Sequence, residues 1–262
     1  MPGDGIYRIS AAVRYLVSAQ SRYRIHSPFL FAFLDEGLRR PLPRNAVQRT
    51  QAYRKSLTDN NTVIDTAGYG AGSRVFTSQR RTVSRIAKVA GMNRRKIRLM
   101  QKTVRYFKPK EILELGTSLG IGSVAMATAA ESRVTSIEGC PVTADMARKH
   151  IRSAGIPRIE IITGSFEETL PRLLEDKAFD MYYLDGNHTR EATLKYFEII
   201  LPQMENHTIV IMDDIHWSKG MNTAWQTVAA HPEVTLSLDF YDLGMLFFRK
   251  ELTKEHKSIL FI

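Results

Sequence analysis

Five carboxylates in this chain stand at the ends of apolar runs, where β-strands would carry them to a common rim. They are Glu114 in "EILELG", Glu138 in "RVTSIEG", Asp185 in "YYLDGN", and Asp213 and Asp214 in "VIMDD". Glu114 leads into the turn "GTSLGIGS", which supplies Gly116, Thr117, Ser118, Gly120, Gly122 and Ser123. Glycines let a backbone approach a ligand closely, and Gly116 is free to take a positive φ at the turn. Glu138 follows Glu114 by 24 positions, near the spacing at which a second strand ends in an acid beside a ribose. A carboxylate there accepts both sugar hydroxyls, with Gly139 next to it.

Glu114 stands just ahead of the glycines, a poor neighbour for a pyrophosphate and a good one for an ammonium group. An ammonium at one end and a ribose at the other fit S-adenosyl-L-methionine better than a dinucleotide. Ser165 and Phe166, in "GSFEETL", are candidates to border the adenine, with Phe166 equally suited to a core position.

The other three acids suggest a different chemistry. Neighbouring parallel strands lie ~4.8 Å apart, so Asp185, Asp213 and Asp214 would share one edge of the sheet. Like charges this close call for a proton or a cation between them. Ligands that are all oxygen suit Mg²⁺ or another hard divalent cation. The alternative is that Asp213 and Asp214 cap the helix expected near Ser218. His188, three positions after Asp185, is a candidate base near neutral pH, or else a surface residue. His216 and Trp217 are candidates to line an acceptor pocket. Cys140 follows Glu138 with no basic neighbour in sequence, which favours packing over reactivity.

A sheet must position these groups, and the sequence describes one. From residue 111 onward, apolar runs and helical segments alternate with a period of about 25 residues. Strand candidates at "EILELG", "RVTSIEG", "IEIITG", "FDMYYLDG" and "HTIVIMDD" each precede a helix candidate, which predicts parallel pairing. "EVTLSLDF" and "LGMLFFRK" are separated only by a short turn and should pair antiparallel. The expected fold is α/β, a doubly wound, Rossmann-like, mostly parallel seven-stranded sheet with one antiparallel strand. An N-terminal helical extension precedes it, with helices at "YRISAAVRYLVSAQ", "SPFLFAFLDEGLRR", "TVSRIAKVAG" and "RRKIRLMQKTVRYF". The expected division is a basic extension over 1–95 and a cofactor-binding domain over 96–262.

A second glycine turn, "VIDTAGYGAGS" at 63–73, competes for the cradle. The segment after it is basic, with no second strand and no acid, so it lacks the order that "ILELGTSLGIGS" has. Two readings remain for it: a turn between helices, or a lid carrying Tyr69, Ser73 and Arg74 over a substrate.

On these motifs, residues 96–250 resemble the class I S-adenosylmethionine-dependent methyltransferases, and among them the metal-dependent small-molecule O-methyltransferases of the catechol and macrolide-sugar types. "ELGTSLGIGS" is similar to their glycine-rich motif, "SIEG" to the acidic second motif, and "GSFEETL" to the segment beside the adenine. "YYLDGNH" and "VIMDD" are similar to the strand ends that hold their divalent metal. The resemblance implies methyl transfer to a hydroxyl that a metal activates at Asp185, Asp213 and Asp214. It places a catalytic base near His188, where catechol-type relatives carry a lysine. "RIHSPF" resembles a feature of uncharacterised bacterial relatives.

Composition bounds the rest. Residues 1–110 carry 23 Lys/Arg against 5 Asp/Glu, and residues 111–262 carry 14 against 22, so a basic first part precedes an acidic second part. The basic part either docks on its own acidic half or attracts RNA or an anionic membrane; a small-molecule acceptor is the favoured partner. One cysteine rules out an internal disulfide and suits a reducing, cytoplasmic setting. No apolar run is long enough to span a membrane, and a homodimer is compatible with the sequence.

Overall fold

The structure is a computed structural model that describes residues 2–66, 80–89 and 91–261. It opens with helix α1 (Pro2–Ser18), followed by a 3₁₀ turn at Arg22–Arg24 and the short helix α2 (Pro28–Ala32), which runs into a π-helical turn at Phe33–Leu38. Ser27 caps α2, its hydroxyl accepting from the Leu30 amide at 3.4 Å, and Pro28 stands in the first turn. Helix α3 (Arg44–Thr58) is absent from the sequence expectation because its composition is strongly polar. Its buried residues Ala46, Thr50, Tyr53 and Leu57 nevertheless recur at helical spacing.

Strand β1 (Val63–Asp65) pairs antiparallel with β2 (Arg80–Thr82), Val63 opposite Thr82. This second strand is not expected from sequence, because its three polar residues carry no alternating pattern. Most of the first glycine turn, including Tyr69, Ser73 and Arg74, lies outside the described residues. Helices α4 (Val83–Val89) and α5 (Arg94–Phe107) come next, the latter capped by the Asn93 side chain on the Lys96 amide at 2.9 Å.

The sheet strands and their helices then alternate as expected. They are β3 (Glu111–Leu115), α6 (Ile121–Ala129), β4 (Arg133–Glu138), α7 (Pro141–Ser153), β5 (Ile159–Thr163), α8 (Phe166–Asp176), β6 (Met181–Leu184), α9 (Arg190–Ile200), β7 (Ile209–Asp213) and α10 (Lys219–Ala230). The chain closes with β8 (Leu236–Asp239), β9 (Leu243–Phe247) and β10 (Glu255–Ser258).

Packing groups residues 36–177 into one compact unit, and residues 1–35 with 178–262 into another. These units differ from the expected division at 95/96, because compactness follows which helices pack. In the 36–177 unit, β3, β4 and β5 run parallel, and α6 packs against both α3 and α5. The α6 face is built from small and branched residues (Val124, Ala125, Ala127), all buried, which lets two helices approach it.

In the other unit β6 and β7 are parallel, while β9 runs antiparallel to both β7 and β8. One reversed strand was expected, and the short turn between β8 and β9 produces it. The expected count of seven is exceeded: β10 adds an eighth strand, parallel to β8. Its sequence, "EHKS", is too polar to read as a strand. Gly244 in β9 is required by packing, since a Cβ there would sit 2.4 Å from the Trp225 ring. Residues from the N-terminus join this unit. Phe29 and Phe33 pack edge-on against Phe247 at 5.4 and 6.4 Å, and the Tyr15 hydroxyl donates to the Ile259 carbonyl at 2.5 Å. The fold is the doubly wound, mostly parallel α/β class. Among the described residues no helix is long and apolar enough to cross a membrane.

Candidate cofactor cradle and acidic strand ends

The cradle belongs to the 36–177 unit and starts where β3 leaves the core. Gly116 turns with φ 102°, and the Gly116 and Thr117 amides donate to the Ile137 carbonyl at 3.0 and 3.3 Å. Ser118 and Gly120 also lie in the left-handed region, at φ 48° and 74°. Three such residues in five positions hold the loop open at the carboxyl end of the strand, where α6 begins. Gly120 is needed for space as well, because a Cβ there would lie 3.1 Å from the Tyr53 hydroxyl. Gly139 carries no such constraint: a Cβ would meet nothing within 4 Å. Gly122 and Ser123 are buried in the first turn of α6.

Glu138 ends β4 and fastens the loop. One carboxylate oxygen accepts the Ser118 amide at 2.7 Å, and the other accepts the Cys140 amide at 2.9 Å. Each oxygen keeps a second lone pair, so the group can still take two hydroxyls. Burial pushes the carboxyl up from its ordinary value, against the two amides that pull it down. Cys140 is buried, in line with the packing role expected of it.

Glu114 does not present an open carboxylate. It is fully buried, and one oxygen accepts from the hydroxyls of Ser123 and, at 2.6 Å, Ser136. Burial pushes its carboxyl up to about 7, with the two hydroxyls and Glu138 as smaller influences. Glu114 thus orients the hydroxyls of Ser123 and Ser136. Thr117 joins the same network through the Ser136 hydroxyl at 2.6 Å.

Tyr53, on α3, is a residue that sequence reasoning misses. Its buried hydroxyl donates to the Leu119 carbonyl at 2.8 Å, so α3 braces the glycine loop from behind. The spacing Ala46, Thr50, Tyr53, Leu57 is the signal that could have found it. At the end of β5, the exposed Ser165 caps α8 by accepting the Glu168 amide at 3.3 Å, and Phe166 is half-buried.

The acidic strand ends belong to the other unit. Leu184 pairs in register with Met212, so Asp185 and Asp213 occupy successive positions on neighbouring parallel strands. Asp185 is half-buried. It accepts from the Tyr183 hydroxyl at 2.9 Å, and His188 Nε2 stands 3.6 Å from its other oxygen. Asp213 is buried. Asp214 departs from the strand with φ 53°, its amide donating to the Asp242 carbonyl at 2.8 Å.

Among the described residues no group of three His, Cys, Asp or Glu is arranged as a metal site. The register pair of Asp185 and Asp213 remains, and this fits a hard cation of the Mg²⁺ kind, which is held by one or two carboxylates and keeps its waters. The capping alternative for these acids fails, because the Ser218 hydroxyl caps α10 on the Met221 amide at 3.1 Å.

His216 and Trp217 are engaged within their own unit. His216 pairs with Asp239 at 2.7 Å and Asn222 at 3.0 Å through its two ring nitrogens, and it stacks on Tyr241 at 5.3 Å. The Arg8 guanidinium lies 4.3 Å over the Trp217 ring. Their contacts fix the loop after β7 to α1 and leave His216 no nitrogen to offer a substrate.

Residues 113–215 match the family model described as a methyltransferase domain. A catechol O-methyltransferase of Niastella koreensis is 31% identical over 123 residues, covering 45% of this chain and 55% of that protein. The chain thus spans about half the length of the curated relatives it matches. An S-adenosylhomocysteine-bound methyltransferase of Podospora anserina aligns over 85% of this chain and 94% of its own, with TM-score 0.55 and 17% identity. An O-methyltransferase of Bacillus cereus in complex with S-adenosylhomocysteine aligns over 84% and 97%, with TM-score 0.53 and 18% identity. At these identities the structural likeness speaks for the fold. The match of the domain model marks residues 113–215 as the part of the chain that is similar to methyltransferases.

Proposed function

We propose that the chain binds S-adenosyl-L-methionine in the cradle between β3 and β4 and methylates a hydroxyl of a small molecule. The observation that carries this reading is Glu138. Its carboxylate sits at the strand end, pinned by two backbone amides, with lone pairs left for two vicinal hydroxyls. The left-handed turn at Gly116, Ser118 and Gly120 shapes the loop beside that carboxylate, and Ser118 is tied to it directly.

Bound there, the donor supplies an activated methyl group, and the protein's task is to hold an acceptor oxygen in line with it. Asp185 and Asp213 would hold a divalent cation, which lowers the pKa of a hydroxyl bound to it. His188 takes the hydroxyl proton, and Asp185 beside it steadies the imidazolium that results. The relatives' catechol O-methyltransferase names support a phenolic acceptor. A reducing, cytoplasmic setting agrees with the single buried Cys140.

The test is methyl transfer from labelled donor to a panel of phenols and sugars, with and without Mg²⁺. Label on a hydroxyl oxygen supports the reading. Label on RNA alone, or on nitrogen or carbon acceptors alone, contradicts it.

A further inference from the structure

Helix α1 has two apolar faces. One is used: Ala11 and Tyr15 are buried, with Tyr15 on the Ile259 carbonyl and 5.4 Å from the Tyr241 ring. The opposite face carries Ile9, Val13, Leu16 and Val17, spaced by four, three and one, which puts them on a single stripe. These side chains are between 56% and 84% exposed, and Tyr23 just beyond the helix is 79% exposed. Isolated exposed apolar residues need no explanation, but a contiguous stripe of large ones marks a binding surface.

Charge selects the occupant. Residues 5–34 contain Arg8, Arg14, Arg22 and Arg24 and no Asp or Glu. Arg8 is spent on Trp217 and Arg22 on Asp35. Arg24 is exposed, and so is Arg14, which contacts Ser10 and Tyr7 of its own helix. An apolar stripe with basic borders and an aromatic at its end is the pattern of a helix lying in a membrane interface. Pairing with a second copy would bring the same cationic borders together, with no acid in the segment to neutralise them.

We propose that the outward stripe of α1, Ile9, Val13, Leu16 and Val17 with Arg14, Arg24 and Tyr23, seats the protein on an anionic membrane surface. This does not depend on the methyl-transfer reading, because neither the cradle nor the acidic strand ends take part.

The test is co-sedimentation of the full chain with vesicles of phosphatidylglycerol and phosphatidylcholine in equal parts, against vesicles of phosphatidylcholine alone. The expected result is binding to the anionic vesicles that weakens with added salt. Leu16→Glu with Val17→Glu should lower the partition at least about tenfold, since both side chains leave the lipid. Arg14→Ala should lower it roughly fivefold. Unchanged circular dichroism and donor binding in these variants would show that the fold is intact. Absence of vesicle binding by the wild type, or equal binding by wild type and the double variant, overturns the proposal. So does a wild-type dimer that the double variant dissociates without any vesicle binding, because the stripe is then a subunit interface.

Discussion

The Glu138 carboxylate lies 2.7 Å from the backbone amide of Ser118, joining the end of β4 to the middle of the loop that leaves β3. That contact explains how Ser118, a residue with a side chain, is held at φ 48°, a backbone region with a steric cost for any residue but glycine. On the proposed function the same carboxylate would be both loop anchor and sugar acceptor, so its loss should harm binding twice.

Glu114 gives the chain a pH signature. Its carboxyl is pushed up to about 7 by burial, above the ordinary 4.5 of the unfolded chain. Below 4.5 both states are protonated and the group contributes nothing. As pH rises through the interval up to about 7, the unfolded state gives up its proton and the folded state keeps it, so stability falls. The loss is roughly 3 kcal/mol by linkage. Glu114→Gln, neutral throughout, should therefore gain by about that amount on wild type between pH ~4.5 and ~8. Urea unfolding at several pH values checks this, and a pH-independent difference between the two proteins would contradict it.

Tyr53 predicts a coupling between α3 and the cradle. Tyr53→Phe strands the Leu119 carbonyl and should cost about 1–3 kcal/mol, as buried unsatisfied groups do. Gly120→Ala meets both the left-handed φ and the nearby Tyr53 hydroxyl, and should cost about 1–3 kcal/mol. Because Gly120 lies against that hydroxyl, the two losses should be non-additive in a double-mutant cycle. Additive losses would mean that α3 does not brace the loop.

Legibility in the sequence depends on whether a feature is written locally. The cradle is readable because strand, glycines, helix and second acid succeed each other within about 25 positions, each with its own signal. Glu138 stands at the end of its strand, where its spacing from Glu114 puts it. Glu114 falls at the expected strand end, but its burial is not legible there, since Ser123 and Ser136 close over it from positions 9 and 22 residues away. Tyr53 is hidden because its partner is 66 positions away and its helix is too polar to stand out. β10 is hidden for a similar reason: it is held by pairing with β8, and its own side chains carry no strand pattern. The left-handed backbone at Asp214 is hidden too, because no residue after Asp213 signals it.

His188 should matter to turnover and not to donor binding. His188→Ala is expected to lower kcat by about 10²–10⁴, the usual share of a positioned base, with S-adenosylhomocysteine affinity within a factor of about two. The loss should shrink as pH rises, because hydroxide and an already ionised acceptor bypass the base. Unaltered kcat across the pH range would return His188 to the surface role.

The pair of Asp185 and Asp213 predicts dependence on a hard cation. Chelation with EDTA should abolish transfer and Mg²⁺ should restore it, while Zn²⁺ should restore it poorly, given a donor set without nitrogen or sulfur. Asp213→Asn should raise the Mg²⁺ concentration needed for half-maximal rate by about tenfold. Full activity in EDTA would remove the cation from the reading.

The most direct measurement is calorimetric titration of the protein with S-adenosylhomocysteine, wild type beside Glu138→Ala. Saturable one-site binding is predicted for the wild type, and an affinity lower by about 10²-fold for the variant, the equivalent of two hydrogen bonds to a charged group. No uptake by the folded wild type, or equal affinity in the two proteins, would contradict a donor held at Glu138.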